Sequence, residues 1–473
     1  MITVFRLAAG LTLTLGIASV SAQTAPNPLP HLDEQFGCLS PTDADRYIKD
    51  FRVDIRSFGG LELCRPNHDA RRVLADIYLI ENGRFGRAQR NNLIRDYVPA
   101  DRYYDWARRQ TRGMRRGNDI PYASAYNRGG FFTFQDGWAQ SSTLGRVGTI
   151  LHEARHTQGY GHIPCVRGPY AGSSVAGCDS GLAQGGSHGV EMEYYARVVV
   201  MGENFHPVYK SMARLMALGR SNAFFNDPAV KAREGLAFRR AGNRGGYGLY
   251  ASTEASRPNA RFLNASRVLD RVAPSIPNAR LKRSSFGATL YAGDRAFAID
   301  LYGREQGPAE LADAYSYFKM LFRDDTRKIP VVDMEEFDLG ERRYLVALTR
   351  DNRLMSYDFP QGEWESRPEN VGLRDARFTT TDPNGTAGLF LVAPNGQARR
   401  WNPQTGRLEA YAVTWPSNVR DFIRFEGKVL ALGDNRVIYA VDQGRLVPFD
   451  ALRGVAAEEL VSVPLYDAFN VEN

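Results

Sequence analysis

Apolar and polar positions in the first half of the chain recur mostly at the period of a helix. From about Asp69 to Trp106, Val73, Ile77 and Leu79 fall at helical spacing, and Leu93 to Tyr104 continues the pattern. Phe131-Phe132-Thr133-Phe134 is rich in strand formers instead, and it follows the turn signal Asn127-Arg128-Gly129-Gly130. Helical periodicity returns from about Ser142 to Thr157, then over roughly Val190 to Gly202 and Pro207 to Leu218. Pro26, Pro28 and Pro30, set among small and polar residues, mark 23–43 as an extended tether.

Beyond about Ser284 the texture changes. Leu345-Val346-Ala347-Leu348, Leu389-Phe390-Leu391-Val392 and Val429-Leu430-Ala431-Leu432 each run into an Asp/Asn/Gly turn. Asn352, Asn395 and Asn435 in those turns are spaced by 43 and 40 residues, and a weaker copy around Ala288 to Tyr291 lies 57 residues earlier. A repeat of about 40 to 45 residues made of short strands and tight turns is the signature of β-propeller blades. Three or four such units are legible; an antiparallel sandwich with recurring hairpins is the alternative. The Gly/Arg/Asn-rich stretch Arg239 to Tyr247, followed by Pro258 and Pro274, reads as a connection. The expected fold class is therefore α+β. A mainly helical domain would span 23–240, a connecting segment 241–283, and an all-β, propeller-like repeat domain 284–473.

Composition bounds this picture. At 473 residues, 43% hydrophobic and 24% charged, the chain has the length and make-up of two or three globular domains. Residues 1–22 read as a signal peptide: Arg6 leads, Leu7 to Val20 is apolar, and Val20-Ser21-Ala22 offers a small-residue cleavage site. Export to the periplasm or the exterior follows, with no membrane span expected after cleavage. Four cysteines then meet an oxidising compartment, and sequence proximity favours Cys38–Cys64 and Cys165–Cys178 among three possible connectivities. The formal charge of +7 is mainly arginine, with a cluster from Arg102 to Arg116 that forms a solvated face or meets an anionic surface. No nucleic-acid-binding signature accompanies it, and nucleic acid is not an expected partner.

One segment carries chemistry: Leu151-His152-Glu153-Ala154-Arg155-His156-Thr157-Gln158-Gly159-Tyr160-Gly161-His162. Residues four apart share a helix face, so His152 and His156 can place two imidazole nitrogens on one metal ion. Glu153 lies beside that pair, where a carboxylate can take a proton from water activated by the metal and pass it to a leaving amine. Leu144, Val147, Ile150, Leu151 and Ala154 would bury the opposite side, Ser141 to Thr143 offers caps, and Gly159 is placed to end the helix.

These residues resemble the zincin metallopeptidases, and more narrowly the metzincin pattern HExxHxxGxxH, which His152, Glu153, His156, Gly159 and His162 match at each fixed position. The resemblance covers about a dozen residues. It implies a zincin-like domain holding one Zn²⁺ per chain, with His162 as third ligand and Glu153 as general base in peptide-bond hydrolysis. The methionine turn of metzincins has no match, because Met192 and Met201 lie in a segment that reads as helix. A rival arrangement resembles gluzincins, in which a later helical glutamate completes the site; Glu191 and Glu193 are the candidates. Both ligand sets suit tetrahedral zinc with one open position.

Tyr194, Tyr195, His188 and Arg155 are the candidates for stabilising negative charge on a carbonyl oxygen, with the two tyrosines preferred. The strand Phe131 to Phe134 is the expected edge for a peptide substrate to pair with. The expected partner is a protein or peptide substrate. A binding protein with a structural zinc, or a zinc hydrolase acting on non-peptide bonds, would carry the same motifs. The sequence sets no oligomeric state.

Overall fold

The computed structural model describes residues 28–30, 33–87, 90–120, 123–241, 248–250, 280–292, 295–299, 331–349, 353–361, 363–367, 376–466 and 468–469. The expected signal peptide and most of the expected connecting segment lie outside them. The architecture is α+β, with a helical first half and a β-rich second half.

Seven α-helices occur among the described residues: α1 (Pro41–Phe51), α2 (Asp69–Asn82), α3 (Tyr103–Gln110), α4 (Asp136–Gln140), α5 (Thr143–His156), α6 (Ser187–Met201) and α7 (Pro207–Ala223). Local chemistry explains several boundaries. Ser40 caps α1 with Pro41 at its first turn, and Ser142 Oγ accepts from Gly145 N–H at 3.1 Å to start α5. Across Leu93 to Arg102 the expected helix is a loop instead, and α3 begins only at Tyr103. Leu93 and Val98 plug the core from that loop, and the buried Glu193 carboxylate accepts from Arg95 N–H at 2.7 Å and Tyr97 N–H at 3.3 Å. Those are partners a helix would have supplied from its own carbonyls.

The expected tether is also docked. Asp33 accepts from Arg146 on α5 at 2.6 Å and from Arg72 on α2 at 3.1 Å, and the Tyr209 hydroxyl donates to Pro30 O. A small sheet, β1 (Gly113–Arg116), β2 (Ala125–Arg128) and β3 (Phe131–Phe134), lies against α5 with β3 in the centre. β4 (Asp179–Gly181) pairs in parallel with β5 (Phe225–Asp227).

The second half is built of five sheets among the described residues. The first is made by β6 (Ala232–Arg240) and β7 (Gly248–Tyr250), joined by the final strand, β23 (Ala457–Tyr466). The second is β8 (Arg280–Ser284), β9 (Gly287–Ala292) and β10 (Arg295–Ile299). The third comprises β11 (Val331–Leu339), β12 (Arg342–Thr349), β13 (Leu354–Asp358) and β14 (Glu363–Arg367). The fourth comprises β15 (Arg377–Thr381), β16 (Ala387–Val392), β17 (Ala398–Asn402) and β18 (Arg407–Tyr411). The fifth comprises β19 (Val419–Phe425), β20 (Lys428–Gly433), β21 (Ile438–Asp442) and β22 (Arg445–Pro448). The last three are four-stranded antiparallel meanders, and the repeated apolar tetrads are their second strands. β6 falls in the range expected for the helical domain, and β7 and most of β8 in the expected connection. Pairing with a strand more than two hundred residues away has no local signal.

Strands β8, β11, β15, β19 and β23 touch in that order, and β23 touches β8. Side chains clasp backbone across these junctions. Glu459 accepts from Leu281 N–H at 2.8 Å, Asp333 from Phe378 N–H at 3.0 Å, and Thr379 Oγ1 donates to Phe422 O at 3.0 Å. Lys282 Nζ bridges Asp333 and Glu335 at 2.9 and 2.8 Å. Bulges fall before Asp333, Asp421 and Glu459 on β11, β19 and β23, so the repeat extends to irregularities in the ladder. The largest apolar cluster runs from the helices into β8, β9, β11, β12 and β23, giving both halves a common core.

Candidate metal centre

Helix α5 buries Leu144, Val147, Ile150, Leu151 and Ala154 in the core, and its His152 and His156 stand before Glu191 and Ser187 of α6. Gly159, at φ 90°, then reverses the chain. A side chain is strained in that left-handed region, so glycine is the residue that lets His162 fold back. The three Nε2 atoms converge: His152 Nε2 lies 3.1 Å from His162 Nε2 and 3.2 Å from His156 Nε2.

Each ring has a partner on its far nitrogen. His152 Nδ1 is 3.4 Å from Glu191 Oε2, and His162 Nδ1 is 3.3 Å from Asp179 Oδ1. His156 Nδ1 sits 2.5 Å from Tyr160 O and 3.0 Å from Ser187 Oγ. An imidazole that donates from Nδ1 keeps a bare lone pair on Nε2. Three lone pairs then face one point. Burial, reinforced by the neighbouring histidines, pushes His152 well below the ordinary imidazole value and His156 down to about 4, so protonation does not relieve the crowding.

Nitrogens bound to zinc at about 2.0–2.1 Å in a tetrahedral array stand roughly 3.3–3.4 Å apart. The observed spacings are close to that, and the triad fits a metal of this size and preference. His152, His188 and Glu191 form a second grouping with ligand atoms within 4.8 Å of one another, but there Glu191 faces Nδ1 of His152, behind the ring that joins the triad.

Glu191 belongs to the support of the site. Its Oε1 accepts from Tyr195 OH at 2.8 Å and from Arg220 Nε at 3.0 Å. Burial alone would raise its pKa; Arg220 and the bonds from His152 and His188 outweigh that and hold the carboxyl well below the usual range. Close packing of α5 on α6 makes the contact possible. A Cβ on Gly148, one turn before His152, would lie 1.9 Å from the Tyr195 hydroxyl and 2.9 Å from Glu191 Oε1.

Glu153 is buried, and its Oε2 has no hydrogen-bond partner. Burial, with a smaller contribution from Glu191, pushes its carboxyl up to about 8 in the metal-free chain. An unsatisfied buried carboxyl one residue from two aligned imidazoles is a candidate for proton transfer.

Several expected site residues lie elsewhere. Glu193 is bonded to Arg197 at 3.1 Å and to the 95–97 loop, so it is no ligand. Tyr194 is core, its ring 5.0 Å from Tyr103 and its hydroxyl buried without a partner. The Tyr195 hydroxyl is committed to Glu191. Arg155 turns to Gly185 O and Gln158, with its guanidinium 3.7 Å from the Tyr160 ring centre. All follow from helix geometry: adjacent residues on α5 and α6 point about 100° apart, and only some directions face the triad.

His188 stacks on His162 with ring centres 4.7 Å apart, and its Nε2 lies 3.0 Å from Gly177 O. β3 cannot receive a peptide as an edge, because β1 and β2 already occupy both its sides. The open edge beside α5 is β2, tied there by Asn127 Nδ2, which donates to Glu153 O at 2.5 Å and to Thr157 Oγ1 at 2.8 Å. Asp179, Ser187 and Arg220 escaped the sequence reading, since contacts across such separations leave no periodic trace.

Both expected disulfides are present. Cys38–Cys64 fastens the region before α2, and Cys165–Cys178 closes the loop that follows His162. Within that loop Gly168 N–H donates to Glu341 O at 2.7 Å and Arg343 N–H donates to Gly168 O at 3.1 Å, joining the loop to the β11–β12 turn. Among the described residues no helix is long and apolar enough to cross a membrane.

No known family model matches the chain, and no curated protein does. Among solved structures, a protein of unknown function from Bacteroides caccae aligns at 9% identity and a TM-score of 0.24, over 46% of this chain and 72% of its own. A DUF4784 family protein from Bacteroides caccae ATCC 43185 aligns at 10% and 0.24 over 51% and 76%, and the N-terminal domain of Nup159 at 13% and 0.19 over 46% and 50%. Likenesses at these scores say nothing of how the triad works.

Proposed function

We propose that the chain is an exported zinc-dependent hydrolase, and most specifically a metallopeptidase. The observation that carries this reading is the convergence of three Nε2 atoms at 3.1 and 3.2 Å with every Nδ1 turned to an acceptor, beside the unsatisfied Glu153 carboxylate. His152, His156 and His162 would hold one Zn²⁺. Bound there, the ion would supply Lewis acidity towards a scissile carbonyl and lower the pKa of water.

The protein's own residues do the rest. Glu191, Asp179 and the Tyr160 carbonyl fix the tautomer and ring direction of the ligands. Glu153 accepts a proton from the attacking water and returns it to the leaving amine. The exposed edge of β2 aligns an extended peptide by main-chain hydrogen bonds, which suits a peptide substrate better than a compact one.

The two disulfides and the reading of residues 1–22 support an oxidising, extracytoplasmic location. The five sheets form a small propeller-like ring closed by β23 on β6, and this ring presents substrate or partner to the cleft. The consecutive contacts and the clasps between first strands support that arrangement.

The decisive experiment measures metal content and casein cleavage for the mature chain and for Glu153→Ala. One zinc per chain in both, with cleavage only by the parent, is expected. Zinc in both without cleavage by either would point to a structural metal or a non-peptide bond, and a metal-free chain would overturn the reading.

A further inference from the structure

The third histidine of the triad stands on a different footing from the other two. His152 and His156 are set by α5, whose apolar residues are locked in the core. His162 sits instead in the stretch 161–166, where Cys165, 4% exposed, is the only buried residue. Ile163 and Val166 are 36% and 65% exposed, so this stretch gains little from apolar burial. Ile163 exchanges a pair of backbone hydrogen bonds with Cys178 at 2.8 and 3.0 Å. Asn226 adds two more at the surface, accepting from Val166 N–H at 2.9 Å and donating to Pro164 O at 2.9 Å. Hydrogen bonds that water can replace contribute little net stability, and a segment held by them alone opens locally.

Cys165 supplies the anchor that the stretch otherwise lacks. Its partner Cys178 is fully buried and is followed by Asp179, whose Oδ1 lies 3.3 Å from His162 Nδ1. Asp179 is fixed independently of the disulfide. Its N–H donates to Phe224 O at 2.9 Å, its Oδ2 accepts from Gly189 N–H at 3.0 Å, and its strand β4 pairs with β5. The sulfur–sulfur bond therefore ties the arm that carries His162 to the carboxylate that orients His162. Further along the loop, Gly168 has its own hydrogen bonds to the β11–β12 turn. Opening the disulfide thus frees the arm and leaves the middle of the loop in place.

Taking the triad as a zinc site, as proposed above, we propose that Cys165–Cys178 is a positioning element of that site and makes zinc retention depend on oxidation. With the bond formed, three imidazoles meet the ion. With it broken, α5 still offers His152 and His156, but recruiting His162 requires the freed arm to be ordered first. Formation of the bond removes two electrons and two protons from the two thiols, and a disulfide-bearing oxidant of the exported compartment takes them up as two thiols of its own. The chain therefore leaves a reducing cytoplasm with a two-histidine site and completes the third position only where disulfides form.

The test measures zinc affinity, by competition with a fluorescent chelator, for the full mature chain, for Cys165→Ser/Cys178→Ser and for Cys38→Ser/Cys64→Ser. The last is the comparison, because its disulfide lies before α2. Co²⁺ in place of zinc adds a visible absorption spectrum that reports the ligand set. Affinity about 10–100-fold below the parent, the range typical of losing a group that orients a ligand, is expected for Cys165→Ser/Cys178→Ser together with a changed cobalt spectrum. Cys38→Ser/Cys64→Ser should match the parent in both. If Cys165→Ser/Cys178→Ser does not fold, as judged by circular dichroism, Cys38→Ser/Cys64→Ser is reduced with a phosphine and then reoxidised, and zinc affinity should fall and return. Equal affinity in the parent and Cys165→Ser/Cys178→Ser, equal losses in the two variants, or tighter binding on reduction through the freed thiolates would each overturn the proposal and leave the zinc reading standing. A parent that binds no zinc would overturn both.

Discussion

At the residue scale the triad depends on groups that touch the imidazoles from behind. Removing the charge from such a group while keeping its shape typically lowers metal affinity about 10–100-fold. Glu191→Gln is expected to fall in that range, measured by competition with a zinc chelator, while Glu193→Gln, whose native partners are Arg197 and the 95–97 loop, should leave affinity unchanged and lower stability instead. Protonation supplies a second prediction. In the metal-free fold His156 binds its proton only near pH 4, whereas an unfolded histidine does so near 6.5. At this residue the unfolded chain thus takes up a proton first, so the stability that His156 contributes to the EDTA-treated protein should shrink as pH falls from 6.5 towards 4. Thermal melts of the parent and of His156→Gln across that range check the sign: the parent should lose more stability on acidification than the variant, and the reverse would contradict it.

At the element scale, α5 and α6 must approach closely for Glu191 to reach His152. Gly148 permits it, and Gly148→Ala places a methyl where the Tyr195 hydroxyl now lies. Overpacking of this kind costs about 1–3 kcal/mol. A lowered melting temperature is expected with weakened zinc binding, because the displaced groups are the ones that orient His152. The cap of the same helix offers a comparison: Ser142→Ala should cost about 1 kcal/mol without changing zinc affinity, since Ser142 lies roughly three turns from His152 and four from His156. Elements also show where pattern reading held. The periods of α5, α6 and α7 were plain, as was the repeat of apolar tetrads. Leu93 and Val98 misled because an apolar residue buried from a loop satisfies the same spacing as one on a helix.

At the scale of the whole molecule, the last strand and the first strand of the β-rich half complete one sheet. β23 pairs with β6 along nearly its whole length, and both contribute to a cluster that also holds β19 and β20. Deleting 457–473 should therefore destabilise more than a local edge: the melting temperature is expected to fall, and limited proteolysis is expected to reach β6 in the truncated chain but not in the intact one. Protection of β6 equal to that in the intact chain would show that the β-rich half does not depend on this pairing.

The sequence by itself determined what is local: two histidines and a glutamate placed by helix geometry, a glycine turn that returns a third histidine, adjacent cysteines that pair, and a strand repeat of near-constant length. Each is encoded within one or two turns of helix or one hairpin, where spacing along the chain equals spacing in space. Tertiary structure alone brought His162 to the pair on α5 and set Glu191 behind the His152 ring, moved Glu193 and Tyr194 into structural roles, made β2 rather than β3 the open edge, and carried β6 into a sheet with β23. Those outcomes turn on which helix face meets which neighbour and which distant strand supplies the missing backbone partners, and no periodicity records them.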